Sequence, residues 1–210
     1  MLNYILGVEC PICNSALDND IICNNCINKI KYIPKLNYIH NNGDFYFTKF
    51  HTLLEFNDIL KKIIHLYKFE NKRKFSKLLS DLIQKRYDLS FFEQYDYIIP
   101  VPLHNKKLRK RGFNQTIEVL KKIIDEKYIF TEIFKVKASK QQSLVKSREE
   151  RKENLKDIFE IPKESIKLIE NKRILLFDDI FTTGATLNSF AQPFYYSMAK
   201  EIHVLTIGVS

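Results

Sequence analysis

The spacing of apolar residues changes near residue 95, and the change divides the chain. Upstream, Ile59, Ile63, Leu66 and Tyr67 recur at helical intervals, predicting an amphipathic helix capped by Asn57 or Asp58 and running to about Phe69. A second helix carries Phe75, Leu78, Leu79, Leu82 and Ile83. His65 stands alone on the first helix, where a partly buried packing role suffices. A strand is expected around Thr52 to Phe56. Residues 27–50, punctuated by Pro34 and Asn41-Asn42-Gly43, form a connector with short strands.

From residue 95 the pattern alternates. Strands are predicted at YDYIIPV (95–101), IFTEIFKVK (129–137), RILLFDDI (173–180) and EIHVLTIGV (201–209). Between them fall helices at FNQTIEVLKKIIDE (113–126) and ATLNSFA (185–191), and a charged helical stretch near 149–157. Pro193 is expected to kink or end the helix that follows residue 185. Alternating strands and helices predict an α/β fold, with right-handed βαβ units and a parallel sheet covered on both faces. The continuous apolar run Ile174–Phe177 suits a central strand. In such sheets ligands bind beyond the carboxyl ends of the strands.

Composition narrows the class. Hydrophobic residues make up 45% and aromatics 13% of 210 residues, which excludes a disordered chain, and 5 Gly with 6 Pro exclude collagen-like sequence. No apolar run approaches the roughly 18 residues that span a bilayer, and the N-terminus lacks the pattern of a signal peptide. The expectation is a soluble, cytoplasmic protein with no membrane span.

The net charge of +9 is unevenly placed. Residues 104–151 hold 14 basic and 6 acidic side chains, and four of the seven arginines, Arg109, Arg111, Arg148 and Arg151, fall in that window. Arginine suits bidentate phosphate contacts, so a phosphate-bearing partner is expected there; the alternative for any one of these residues is a solvated helix or loop charge.

All four cysteines lie in the first 26 residues, as Cys10-Pro11-Ile12-Cys13 and Cys23-Asn24-Asn25-Cys26. Two C-x-x-C turns present four thiolates to one tetrahedral metal, so a structural Zn²⁺ is predicted. Disulfides are disfavoured in a cytosolic protein, and a redox role is disfavoured by the presence of two pairs outside a strand-to-helix turn. A module this small cannot support itself by burial, so the metal would supply its folding energy.

Directly after the apolar strand stands Asp178-Asp179-Ile180-Phe181-Thr182-Thr183-Gly184-Ala185-Thr186. Hydroxyls and a glycine at a strand-to-helix turn can direct donors at one phosphate, aided by the helix dipole. Two carboxylates beside them can accept from a ribose diol and help hold Mg²⁺. A capped helix start preceded by turn aspartates would explain one Asp and one Thr, but not the ensemble. The dinucleotide and P-loop glycine patterns are absent from the sequence.

ILLFDDIFTTGAT resembles the phosphoribosyl pyrophosphate (PRPP) signature of type I phosphoribosyltransferases. With Ile99-Pro100-Val101-Pro102-Leu103-His104, Arg109-Lys110-Arg111-Gly112-Phe113-Asn114-Gln115, Arg151-Lys152-Glu153-Asn154-Leu155 and the four-cysteine module, the chain resembles the ComF family of competence-associated phosphoribosyltransferase-like proteins. The resemblance implies a zinc-finger module at 1–35, a hood or connector with two helices at 36–94 and a phosphoribosyltransferase-like core at 95–210. It implies that Asp178 and Asp179 are catalytic, contacting the ribose hydroxyls and Mg²⁺, while Thr182, Thr183, Gly184, Ala185 and Thr186 take the 5′-phosphate. Pro102, Leu103 and His104 would form the pyrophosphate loop, and residues 138–152, with Arg151, the loop that closes over the site. Arg109 and Arg111 are further candidates to contact PRPP, because pyrophosphate departure needs positive charge on that side. Asn114 can be a helix cap.

Two functions follow, from different classes. One is a Mg²⁺-assisted phosphoribosyltransferase with an undefined acceptor, or a PRPP sensor without turnover. The other is a protein that handles single-stranded DNA during natural transformation, alongside other competence or DNA-processing proteins, as the family association implies. Its groove would use the basic window, the zinc module and the aromatics Tyr38, Phe45, Tyr46 and Phe47, which could equally be packing residues.

Overall fold

Four strands, standing side by side in the order first, sixth, fifth and second along the chain, pair in parallel, and this sheet carries the candidate site at one end. The computed structural model describes residues 9–17, 21–34, 45–103, 105–131, 135–136 and 159–210. Strand β1 is Lys49–Glu55, β2 is Tyr97–Pro100, β5 is Arg173–Phe181 and β6 is Glu201–Val209. A separate antiparallel pair joins β3 (Lys135–Val136) to β4 (Phe159–Glu160). Ile174–Phe177 of β5 are fully buried, as expected of a central strand with both faces covered.

Strand alternation assigns the two faces. Leu175 and Phe177 of β5, with Leu205 and Ile207 of β6, pack against helices α2 (Asp58–Phe69), α3 (Phe75–Gln84) and α6 (Gln115–Leu120). Ile174, Leu176, Ile202 and Val204 face the other way, against α7 (Ile166–Ile169) and α8 (Ala185–Tyr196). Helix α2 begins where the sequence places it: Asn57 is the N-cap, and its Oδ1 accepts from Leu60 N–H at 3.0 Å. Two shorter helices, α4 (Leu89–Glu93) and α5 (Asn105–Arg111), have no counterpart in the apolar periodicity.

Three expectations are corrected. The helix over 113–126 is limited to α6 followed by turns, because Asn114 caps its start and Asp125 instead caps a 3₁₀ turn at Glu126–Tyr128. The strand over 129–137 is divided: Ile129 bridges Ile98 in parallel, whereas β3 pairs with β4. Helix α8 continues past Pro193 to Tyr196. Pro193 stands one turn from its end, and the buried Phe190, Ala191 and Phe194 hold the helix to the sheet on both sides of the proline. The charged stretch at 149–157 lies outside the described residues.

The N-terminal cysteine segment shares the larger core. Cys10, Ile12, Leu17, Ile22 and Cys26 pack in one cluster with α2 and α3, and Lys62 Nζ donates to the Ile12 carbonyl at 2.6 Å. Residues 31–33 run antiparallel along the free edge of β1, with Ile33 N–H donating to Leu53 O and Glu55 N–H to Lys31 O, each at 3.0 Å. That pairing covers an edge that would otherwise present open backbone groups.

Candidate functional site

The carboxyl end of β5 turns into α8 through Thr182, Thr183 and Gly184, around a small pocket of about 50 Å³ that Asp178 and Ala185 to Leu187 also line. Gly184 caps α8 at φ +72°, a left-handed conformation that favours glycine. A Cβ there would lie 2.6 Å from the Phe181 ring and 2.8 Å from that of Phe45, so the turn excludes a side chain on steric grounds as well. Thr182, Thr183 and Thr186 are exposed while Gly184 is buried. The loop therefore offers three accessible hydroxyls at the positive end of a twelve-residue helix, on a backbone clamped by aromatic rings.

The two carboxylates have different surroundings. Asp178 lines the loop pocket, and its Oδ1 accepts from Asp179 N–H at 2.8 Å. Burial, followed by the neighbouring Asp179 charge, pushes its carboxyl up to about 7, against the opposing pull of the Asp179 N–H, Lys68 and Lys107. Asp179 turns to the opposite face and is almost fully buried. Its Oδ2 accepts from Gln115 Nε2 at 2.8 Å and from Lys68 Nζ at 2.5 Å. Gln115 Oε1 in turn accepts from Arg111 Nη1 at 2.7 Å, and the Arg111 guanidinium lies 5.3 Å from the centre of the Phe69 ring. A divalent cation would favour the ionised form of this crowded pair, and Asp178 is the better placed to receive it, since Asp179 Oδ2 already has two donors.

Beyond Asp179 opens a groove of about 680 Å³ between α2 and α5. Lys61, Lys68, Lys107, Lys110 and Arg111 line it, with His65 and the exposed Phe69, and none of its described lining residues is acidic. Such a surface suits a polyanion, and Phe69 adds an aromatic face.

The basic window thus contributes Arg111, Lys107 and Lys110 to the groove, while Arg109 is exposed on α5 and is not among the lining residues. Pro102 and Leu103 are half-buried just beyond β2, on the same side of the sheet. His104, Arg148, Arg151 and the segment 138–152 lie outside the described residues, as does Tyr38. Asn114 is a cap, its Oδ1 accepting from Thr116 N–H at 3.0 Å. Phe47 is buried, Phe45 packs beneath Gly184, and Tyr46 packs against Tyr195 and Tyr196, so these rings serve packing around α8. The sequence reading missed Lys68, Lys61 and Phe69. Lys61 and Lys68 lie seven residues apart, two helical turns, on a helix read only for its apolar face.

At the N-terminus the four cysteine sulfurs lie within 4.8 Å of one another, with Cys13 and Cys23 3.5 Å apart and Cys10 and Cys26 3.9 Å apart. Zn–S bonds of about 2.3 Å in a tetrahedron have edges of about 3.8 Å, so the donor set fits one Zn²⁺. Ser15, whose hydroxyl is 3.0 Å from Cys13 Sγ, lowers the Cys13 thiol to about 6, which favours the thiolate that a metal requires. Burial pushes the Cys26 thiol up instead, as expected of a buried sulfur with no cation beside it.

No protein-family model matches the chain. Among curated proteins it is 24% identical to the competence protein ComFC of Bacillus subtilis over 193 residues, covering 91% of this chain and 73% of that protein. It is 24% identical to competence protein F of Haemophilus influenzae, over 97% of both, and 25% identical to the DNA utilization protein YhgH of Escherichia coli K12, over 73% of this chain and 68% of that protein. None of the described helices is long and apolar enough to cross a membrane. The chain is thus similar, across most of its length, to curated proteins named as competence and DNA utilization proteins, and it closes four cysteines into one cluster near its N-terminus.

Proposed function

We propose that this protein binds Mg²⁺-PRPP at the carboxyl end of β5 through a phosphoribosyltransferase-like fold, and that it serves DNA uptake by handling single-stranded DNA. The observation that carries the PRPP reading is the β5–α8 junction: a left-handed glycine, three accessible hydroxyls and a helix N-terminus directly follow two carboxylates. In this reading the loop holds the 5′-phosphate, and Asp178 faces the ribose and the metal. Mg²⁺, when bound, would supply charge neutralisation for the departing pyrophosphate. Lys68, Lys107 and Arg111 supply fixed positive charge beside it. The acceptor is open, because no described residue presents itself as its base. Calorimetry of PRPP with Mg²⁺ tests the site: wild type binds and Asp178→Asn/Asp179→Asn does not, whereas equal binding by both would overturn the assignment. Pyrophosphate release across nucleobases, amines and nucleic acids then separates a transferase from a sensor.

The DNA reading draws its support from the cationic groove with its exposed Phe69, and from the names of the relatives. Each phosphate contact adds roughly 0.7 to the salt slope of single-strand binding. Charge reversal of Lys61 and Lys110 is expected to flatten that slope, and a slope equal to wild type would remove the groove from consideration.

A further inference from the structure

The cationic groove and the loop pocket are two parts of one concavity. Ile180 and Thr182 line both, so the groove opens at the carboxyl end of β5 onto the turn that leads into α8. Its cations fall into two sets. Lys68, Lys107 and Arg111 are tied to the two carboxylates: Lys68 Nζ pairs with Asp179 Oδ2 at 2.5 Å, and Arg111 reaches the same oxygen through Gln115. Lys107 stands close enough for its charge to act on Asp178. Lys61 and Lys110 have no part in that network, and Lys61 lies two turns of α2 from Lys68, roughly 10 Å along the helix. Phe69 is 61% exposed, with the His65 ring centred 5.2 Å away and the Arg111 guanidinium at 5.3 Å.

The two ligands of the proposed function draw on this concavity unequally. PRPP is a compact anion without a base, and its pyrophosphate needs charge close to the carboxylates. A single strand is a line of separate charges with a ring beside each, and it uses cations spaced along a groove together with a flat aromatic face. Lys61, Lys110 and Phe69 therefore suit the strand alone, whereas Lys68, Lys107 and Arg111 suit both ligands. Lys68 and Arg111 keep free donors after serving Asp179 and Gln115, but those donors satisfy one set of phosphate oxygens at a time. Nor does salt separate the two ligands. A pyrophosphate beside Lys68 brings several negative charges to within about 10 Å of a strand phosphate at Lys61, close to the Debye length of about 8 Å at physiological ionic strength.

We infer that PRPP and single-stranded nucleic acid bind this concavity in mutual exclusion, the pyrophosphate group of one displacing the strand phosphates of the other from Lys68, Lys107 and Arg111. The inference rests on both halves of the proposed function and states how they are joined. By linkage each ligand weakens the other by the same factor, so PRPP acts as a release signal for a held strand. A strand that served as the acceptor would have to bind beside PRPP, and the coupling would then have the opposite sign.

The test is fluorescence anisotropy of a labelled oligothymidylate on the full chain, at fixed Mg²⁺ and ionic strength, with PRPP, inorganic pyrophosphate or ribose 5-phosphate added. Saturating PRPP is expected to raise the apparent Kd of the strand by roughly tenfold or more. Pyrophosphate is expected to act in the same direction and ribose 5-phosphate far less, since it reaches the loop but not the cations. With PRPP bound, the salt slope of strand binding should fall by about 2, the loss of three contacts at roughly 0.7 each. Strand affinity that PRPP leaves unchanged or tightens, or that ribose 5-phosphate lowers as much as pyrophosphate does, overturns the inference and leaves both halves of the proposed function standing. A chain that binds no strand, or no PRPP in calorimetry, overturns the inference together with the half concerned.

Discussion

The cysteine cluster and the strand-end site both gather ionisable side chains around one point, but they are assembled in opposite ways. Cys10, Cys13, Cys23 and Cys26 lie within 17 consecutive residues, and two short turns suffice to bring their sulfurs within 4.8 Å of one another. The strand-end network joins Lys68, Arg111, Gln115 and Asp179, spread over more than half of the chain and carried by α2, α5, α6 and β5. A site of the first kind is written in local spacing. One of the second kind exists only once the helices have docked on the sheet.

The cluster nevertheless has the wider mechanical reach, because its apolar residues belong to the same core as α2 and α3. Cys26→Ser is therefore expected to abolish stoichiometric metal and to cost about 4 kcal/mol or more of global stability, read by metal analysis and denaturant unfolding. Retention of both metal and stability would show the cluster to be dispensable.

The next largest effect falls at the loop. Gly184→Val places a branched side chain at φ +72° and drives it against Phe181 and Phe45, at an expected cost of about 3 kcal/mol together with loss of PRPP binding. Unchanged PRPP affinity would dissociate the loop from the phosphate.

Lys68→Met tests the dispersed network. It leaves Asp179 buried with Gln115 alone, and is expected to destabilise the protein by about 2 kcal/mol. Much of that loss should be regained in Lys68→Met/Asp179→Asn, which removes the stranded charge. Additive losses in the double variant would mean that the two residues act separately.

The last test is a pH profile, in which two opposed slopes largely cancel in the wild type. Burial, then the positive charges of Lys49 and Arg173, hold the His203 imidazole down at about 4, below its ordinary 6.5. Its contribution to stability is complete above pH 6.5 and is lost as pH falls toward 4. Asp178, raised from 3.8 to about 7, acts in reverse: stability declines as pH rises through that interval. Each slope is at most about 1.4 kcal/mol per pH unit, and the two oppose each other between pH 4 and 6.5. Asp178→Asn is expected to expose the His203 slope, with stability rising from pH 4 to 6.5 in denaturant melts. A flat profile in that variant would mean that His203 does not titrate in this range.

Much of this was legible before folding. Asn57 and the period of Ile59, Ile63, Leu66 and Tyr67 locate α2, and the run Ile174–Phe177 with its following aspartates locates β5 and its loop. The terminal strand is found at its full span, Glu201–Val209. Helices α4 and α5 were not visible, since each is seven residues or fewer and too short for an apolar period to register. Pro193 misled because propensity describes an isolated helix, whereas Phe190 and Phe194 bind this one to the sheet.

Dividing the +9 charge along the chain locates a basic window, but charge in sequence is not charge in space. Lys61 and Lys68, outside that window, line the groove, and Arg109, inside it, does not. Local spacing was enough for the cysteine cluster and for the glycine turn between β5 and α8, because their geometry is set by bonds and turns a few residues long. Which cations face Asp179 depended on how α2, α5 and α6 dock on the sheet. Packing sets those distances, and residues far apart in the chain carry no local record of it.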